Sequence, residues 1–264
     1  MVRIAPVLVG VALLLATAAS DAVARPVTTC GEVVPAGGTG VLTVDLACDP
    51  AVIAVTVGAE GRLKLAGHVI SGGAKGVLCD LGCSIQGPGE ITGAVEEGIV
   101  ITNPLGQLES PPVTVRNVHV HHNGGNGIYG FNRVGKTTLR RVEVDHNLNG
   151  VNSTTVGDVI TGRDVNVHDN QGGGIYGLDV SLRRLTLTNN GSGGSPGLLS
   201  EQGGAFLVDS VVTGNASSIG GMDIATYQLP RLVRTTCGRS FQVPFDGPVP
   251  FPDGPTWGVC AGDT

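Results

Sequence analysis

Charge, basicity, aromatics and helical periodicity are all scarce in this 264-residue chain, and each scarcity excludes something. Asp, Glu, Lys and Arg together make up 14% of it, against 43 Gly. That balance would fit a disordered chain, but columns of aliphatic residues persist throughout, so a turn-dense fold fits better. A formal net charge of −6 and an isoelectric point near 5.4 exclude a general nucleic-acid binder. No segment carries the 3.6-residue apolar period of an amphipathic helix. Aromatics stand at 3%, so any two that share one column carry weight.

The apolar run from Ile4 to Ala18 falls short of the ~20 residues of a membrane span. Arg3 precedes it and the small-x-small triplet Ala22-Val23-Ala24 follows it, the pattern of an export signal. Residues 1–24 are therefore expected to be a signal peptide, leaving a secreted chain, extracellular or periplasmic, without a membrane span. Its loss removes Arg3 and Asp21, one charge of each sign, so the net charge stays −6. All six Cys lie beyond this segment, where disulfides are expected. The paired spacing of a zinc site is missing from Cys79 and Cys83. Six Cys allow fifteen connectivities; proximity in sequence suggests Cys30–Cys48, Cys79–Cys83 and Cys237–Cys260. The first and last would staple the ends of a stacked structure, which lack a neighbour and fray.

What is present is repetition. Val115 to Asn123 alternates apolar and polar residues and ends in Asn, and Leu139 to Asn147 repeats it. Further copies end at Asn170, Asn190 and Asn215, in steps of 24, 23, 20 and 25 residues. A second column pairs Gly with an aliphatic residue or Met at 76/77, 98/99, 127/128, 150/151, 174/175, 197/198 and 221/222. One such unit cannot bury its own apolar face, so units must stack. Period-2 alternation makes each unit all-β, and units of this length fit a parallel β-helix, a solenoid with N- and C-terminal caps. Val118/Val120, Val142/Val144, Val165/Val167 and Leu185/Leu187 are then expected to stack inside. The Asn column is expected to occupy a left-handed turn and to hydrogen-bond to its stacked copies. The column Gly should supply φ > 0 or close backbone approach. Segment boundaries are expected at 25–60 for the N-terminal cap with the first rung, 61–228 for the repeats and 229–264 for a Pro-rich C-terminal cap packed through Trp257. The Pro-rich excess from Thr102 to Pro112 should stand off the solenoid as a loop.

These repeats resemble the secreted right-handed parallel β-helix proteins, the pectate-lyase-like superfamily and its NosD-like repeats. The V-x-V-x-x-N and G-I-Y patterns carry the resemblance, with an opening signature from Cys30-Gly31 through Asp45–Cys48 to Leu65–Gly72. It implies a single-stranded right-handed parallel β-helix. For activity it implies only a range, since that fold hosts lyases, hydrolases, epimerases and non-catalytic binders. The polygalacturonase motifs are missing: Glu96-Glu97, Asn126, Asn149 and Gly173 stand in their places. Ile128 to Val134 resembles a mannuronan epimerase motif, with Asn132 in place of its Asp and Val134 in place of its His.

Aligning the copies on the turn Asn brings chemistry-bearing residues together. His119, His121, Glu143 and Asp145 form a rectangle on adjacent rungs, with His168 beyond. Imidazoles and carboxylates so placed could bind a divalent metal through His119, His121, Glu143 and Asp145. Alternatively His121, Asp145 and His168 could work as acid and base, with Tyr129 stacking or donating. The remaining alternative is a polar face whose charges merely pair. Arg116, Arg140, Arg163 and Arg183 form a second column, which repels itself unless anions neutralise it. Glu143, Asp145, Asp164 and Asp209 are the internal candidates; an anionic polymer such as a polyuronate is the external one. Tyr129, Asn152, Tyr176, Leu199 and Asp223 should face outward after the Gly–aliphatic column, giving rings and amides for a sugar. The functional expectation is a monomeric, exported β-helix protein that binds an acidic polysaccharide or cell-surface glycan. It could process that glycan as a lyase, epimerase or hydrolase, with Arg116, Arg140, Arg163, Asn152 and Tyr176 holding it. The alternative is a non-catalytic structural or attachment solenoid.

Overall fold

The computed structural model describes residues 24–103, 111–131, 135–153, 158–192, 194–216, 221–243 and 254–263. Their elements are strands and turns, with no helix among the described residues. Residues 1–23 of the expected signal peptide, residues 104–110 of the Pro-rich loop, Asn132 to Val134 and the Pro-rich stretch 244–253 lie outside that description. Strands stack in parallel register into a β-helix of about eight turns. One ten-stranded sheet runs from Glu32–Val34 to Ser240–Gln242 and forms one face. A sixteen-stranded sheet supplies two more. Its ten-residue strands, Lys136–Asp145, Val159–His168 and Asp179–Thr188, bend at Arg141, Asp164 and Arg184, which have φ of 52°, 57° and 52°. Residues before each bend form the first face, those after it the second, and the ten-stranded sheet the third.

The expected aliphatic stacks are inside. Ile91 pairs in register with Val120, Val120 with Val144, Val144 with Val167, Val167 with Leu187 and Leu187 with Val212, all 0% exposed. Each such burial stabilises by roughly 1.5–3 kcal/mol. On the third face Val77, Ile99, Ile128, Val151, Ile175 and Leu198 stack the same way. The next partner is Ile224, not Met222, so Gly221-Met222 does not belong to this column. Met222 instead packs with Ala216, Ala225, Phe241 and Val243 in a small second cluster. The column Gly are required by closeness rather than by φ: a Cβ on Gly127 would lie 2.4 Å from Val144 Cγ1 and 2.9 Å from Asn147 Nδ2.

The Asn column forms a continuous buried ladder. The backbone N–H and the Nδ2 of Asn123 both donate to Asn147 Oδ1, at 3.0 and 2.9 Å. Asn147 repeats this onto Asn170, Asn170 onto Asn190 and Asn190 onto Asn215. Asp223 ends the series by accepting both donors of Asn215 at 3.0 and 2.9 Å. It is 3% exposed and so leaves the outward column expected for it. Left-handed backbone belongs to the residue before each Asn instead: His122 (φ 54°), His146 (52°), Asp169 (53°), Asn189 (56°) and Gly214 (72°).

Stacked strands run into both terminal segments. Arg25–Val27, Leu46–Cys48 and Glu32–Val34 already place strands on all three faces. Arg231–Val233, Thr236–Cys237 and Ser240–Gln242 continue them at the other end. The tail residue Cys260 is bonded to Cys237 there, Cys30 to Cys48 at the start, and Cys79 to Cys83 within one rung. Trp257 is half-buried. At the first rung, Glu32 accepts from the backbone N–H groups of Thr28 and Thr29 at 2.8 and 2.9 Å and from Arg25 at 3.2 Å.

Two outcomes follow from these bonds. Asn147→Ala strips one acceptor from Asn123 and leaves buried polar groups unmatched. It should lower unfolding stability by about 2–4 kcal/mol, read from the denaturant midpoint, and a change below ~0.5 kcal/mol would show the ladder to be dispensable. The bond from Thr28 N–H, first among several, lowers the Glu32 pKa from 4.5 to about 2. Its contribution is therefore complete above pH 4.5 and is lost as pH falls toward 2. The acid-induced drop in melting temperature across that window should be smaller in Glu32→Gln than in the parent.

Candidate functional site

Five of the chain's six His stand together on the second face and its adjoining turn: His119, His121, His122, His146 and His168. The strand register places His119 beside Glu143 and His121 beside Asp145, with His168 beyond Asp145. That is the expected rectangle, but its contacts run along the diagonals. His119 Nε2 donates to Asp145 Oδ1, and His168 Nε2 lies 3.1 Å from Glu143 Oε1. The second Asp145 oxygen is 2.5 Å from His146 Nδ1. Asp145 was expected to point outward, yet two imidazoles cover it and its side chain is only 8% exposed. His121 Nε2 faces Glu90 at 3.4 Å, and His168 Nδ1 faces Asp169 at 2.7 Å.

Four members of this wall fall outside the outward columns read from the turn Asn. His122, His146 and Asp169 sit at the left-handed corner, where a side chain leaves the period-2 pattern. His is among the residues enriched in that conformation, which is the one local signal that could have found them. Glu90 belongs to a rung without a ladder Asn and has no marker at all. The His122 and His146 rings lie parallel, 2° apart in plane and 4.7 Å between centroids.

Electrostatics separate the imidazoles. Burial pushes the His121 pKa down, and the neighbouring His119 pushes it further. Burial also opposes the charged form of His168, but hydrogen bonds to Asp169 and Glu143 outweigh it and the pKa rises. Burial would raise the Asp145 pKa, yet hydrogen bonds from His146 and His119 leave it below its ordinary value. The carboxylate is thus ionised at neutral pH. Three groups have ligand atoms mutually within 4.8 Å: Glu90 with His119 and His121, His119 with Glu143 and Asp145, and His122 with Asp145 and His146. The quartet expected from sequence is therefore divided, with His121 apart from Glu143 and Asp145.

The Arg column lies on the first face, just before the bend. Arg116 registers with Arg140, Arg140 with Arg163 and Arg163 with Arg183. Arg116, Arg140 and Arg163 line a trough of about 870 Å³ that also holds Arg62, Lys136, Arg141 and Arg184. Seven of the chain's sixteen Lys and Arg thus share one trough, against a single carboxylate, Asp164. A second hollow of about 430 Å³ shares Lys136, Thr138, Arg140 and Arg163 with it and continues past Arg183 to Phe206. Ser84, Thr114, Thr138, Thr161 and Ser181 form a register column of hydroxyls beside the Arg column.

The internal carboxylates expected to neutralise this column are committed elsewhere. Glu143 and Asp145 pair with imidazoles. Asp164 takes a two-bond fork from Arg184 at 2.5 and 2.8 Å, and Asp209 takes Arg234 at 2.5 Å. Arg163 and Arg183 reach these two only at 3.9 Å. Arg116 donates to the neutral Gln86 at 2.6 Å. Among the described residues, no ion pair within 4 Å involves Arg116 or Arg140. At the corner, Arg141 and Asp164 line both this trough and a recess of about 510 Å³ formed with Glu90, His119 and Glu143.

Tyr129, Asn152, Tyr176 and Leu199 do form one register column, followed by Ala225 where Asp223 was expected. They stand on the third face, round the Asn corner from the imidazoles, so joint action of Tyr129 or Tyr176 with His121 and His168 is not what the fold assembles. Tyr176 is half-buried over Gly173, and burial raises its pKa. Asn152 donates to Asn126 at 3.4 Å. Neither the trough nor the recess is lined by these residues.

No family model, curated protein or solved structure matches the chain. The functional argument therefore rests chiefly on the fold and its side chains. One direct check of the wall is a histidine titration by NMR on chelator-treated protein: His168 should hold its proton to higher pH than 6.5 and His121 should release it below 6.5. The reverse order would contradict the hydrogen-bonding pattern described.

Proposed function

We propose that this protein is an exported β-helix that binds an acidic polysaccharide, a polyuronate, along the basic trough of its first face. The observation that carries this reading is the Arg column, in which Arg116 and Arg140 have no ion pair within 4 Å among the described residues. Coils about 4.8 Å apart hold like charges at that spacing, an arrangement that favours a ligand carrying repeated anions. A planar guanidinium matches a carboxylate by two parallel bonds. The hydroxyl column alongside offers partners to sugar hydroxyls, and three disulfides suit an exported chain. The resemblance of the repeats to the pectate-lyase-like superfamily points the same way. Arg116, Arg140 and Arg163 hold the polymer in this reading, while Asn152 and Tyr176 stand on another face.

Processing of the bound polymer is a second reading, favoured by the corner at which the trough meets the recess of His119 and Glu143. Binding and processing separate in one set of measurements. Calorimetry should show uptake of polygalacturonate or alginate but not of a neutral glucan, weakening steeply with salt. Arg140→Ala with Arg163→Ala should reduce affinity at least tenfold and leave the melting temperature nearly unchanged, since exposed side chains usually contribute within about 0.5 kcal/mol. Equal binding of the neutral glucan would refute the proposal and favour a structural or attachment solenoid. Ultraviolet absorbance of unsaturated products reports any lyase step.

A further inference from the structure

The corner residues His122 and His146 belong to no part of the polysaccharide reading, and with Asp145 they make a compact donor set. We infer that His122, Asp145 and His146 bind one divalent transition-metal ion of the zinc class. The two His occupy equivalent places on adjacent coils, each fixed by a left-handed backbone of φ 54° and 52°. Their rings are parallel, and one ligand atom from each of the three residues lies within 4.8 Å of the others. Tetrahedral bonds of about 2.0–2.1 Å require donor atoms somewhat closer than that. Both imidazoles are exposed, His146 by 50%, which leaves their side chains room to turn toward a common centre.

Three further features support the assignment. Asp145 is buried and its other oxygen is held by His119, the outer-partner arrangement that orients a metal-binding carboxylate. Glu90, Glu143, Asp145 and Asp169 all stand in this patch, and their ion-pair partners among the described residues are imidazoles alone. A divalent ion bound at this corner adds a fixed cation to a patch that gathers those four carboxylates. Two nitrogen donors with one carboxylate select zinc, cobalt, nickel or copper over calcium or magnesium. Three protein ligands on an exposed corner leave a coordination position open to solvent. The other two donor groups lack this combination: one has a single imidazole, and the other relies on the exposed Glu90 with no buried anchor.

The test is calorimetric titration of Zn²⁺ into the purified chain near neutral pH in physiological salt, with Ca²⁺ in parallel. One Zn²⁺ per chain is expected, with no comparable Ca²⁺ uptake. His122→Asn combined with His146→Asn should weaken Zn²⁺ binding at least about thirtyfold, the scale on which even outer partners act. Asn is chosen because it tolerates left-handed backbone, and circular dichroism checks that the strands persist. Glu90→Gln and Glu143→Gln, which disable the other two donor groups, should each retain binding within about fivefold. Co²⁺ added to the unmodified chain should broaden the NMR signals of His122 and His146 first, a readout that does not depend on any variant folding. Absence of Zn²⁺ binding below ~100 µM, a smaller loss in the double variant, or an equal loss in either Gln variant would overturn the inference.

Discussion

The buried ladder of Asn123, Asn147, Asn170, Asn190 and Asn215 is the constraint on which the rest of this solenoid depends. From Asn147 onward each amide uses its oxygen to satisfy two donors of the previous coil, and its nitrogen reaches the next coil and a strand carbonyl, as that of Asn147 does with Asn170 and Val120. A coil that slipped by one residue would break these bonds and turn Val144 or Val167 outward at the same time. The ladder thus fixes register from the polar side while the aliphatic stacks fix it from the apolar side. It also sets where Gly must stand, since the amide of Asn147 leaves no room for a Cβ on Gly127.

Locking that corner has a chemical consequence. The residue before each Asn must take left-handed backbone, which costs an ordinary L-residue roughly 1–2 kcal/mol. The chain fills those positions with His122, His146, Asp169 and Asn189, types that bear it best. Two imidazoles and a carboxylate are thereby brought onto the edge of the second face. The second corner works differently: Arg141, Asp164, Arg184, Asp209 and Arg234 alternate in sign, so Arg184 and Arg234 consume the two carboxylates nearest the Arg column. The corner and the basic face are linked in this way, because the carboxylates paired at the bend are withdrawn from the trough beside it.

A basic trough on an acidic protein also bears on specificity. The chain carries a net charge of −6, so in the proposed reading a concentrated run of guanidinium groups would direct a polyanion to one face. The hydroxyl column beside it adds hydrogen-bonding capacity without charge. Such a surface suits a long ligand held by repeated weak contacts, in keeping with a groove that extends from Arg62 to Phe206.

By itself the sequence determined the solenoid and the register of its central coils, because a stacked fold writes each spatial column as a linear period; the disulfide pairs it only suggested by proximity, and the structure supplied them. Val120, Val144 and Val167, the rectangle of His119, His121, Glu143 and Asp145, and the Arg column were all legible for that reason. The marker failed where the ladder stops. Strands beyond residue 228 continue the stack without a ladder Asn, so that end resembled a cap alone, and Met222 and Asp223 were assigned to columns they do not join. Tertiary structure alone decided which face each column occupies, that Asp145 is covered by two imidazoles, and that Tyr129 and Tyr176 stand round a corner from the wall. It alone decided that Asp164 and Asp209 are taken by Arg184 and Arg234. Periodicity reports which residues share a column; the bend angles, and the partner each side chain chooses across them, depend on backbone that only the folded coil defines.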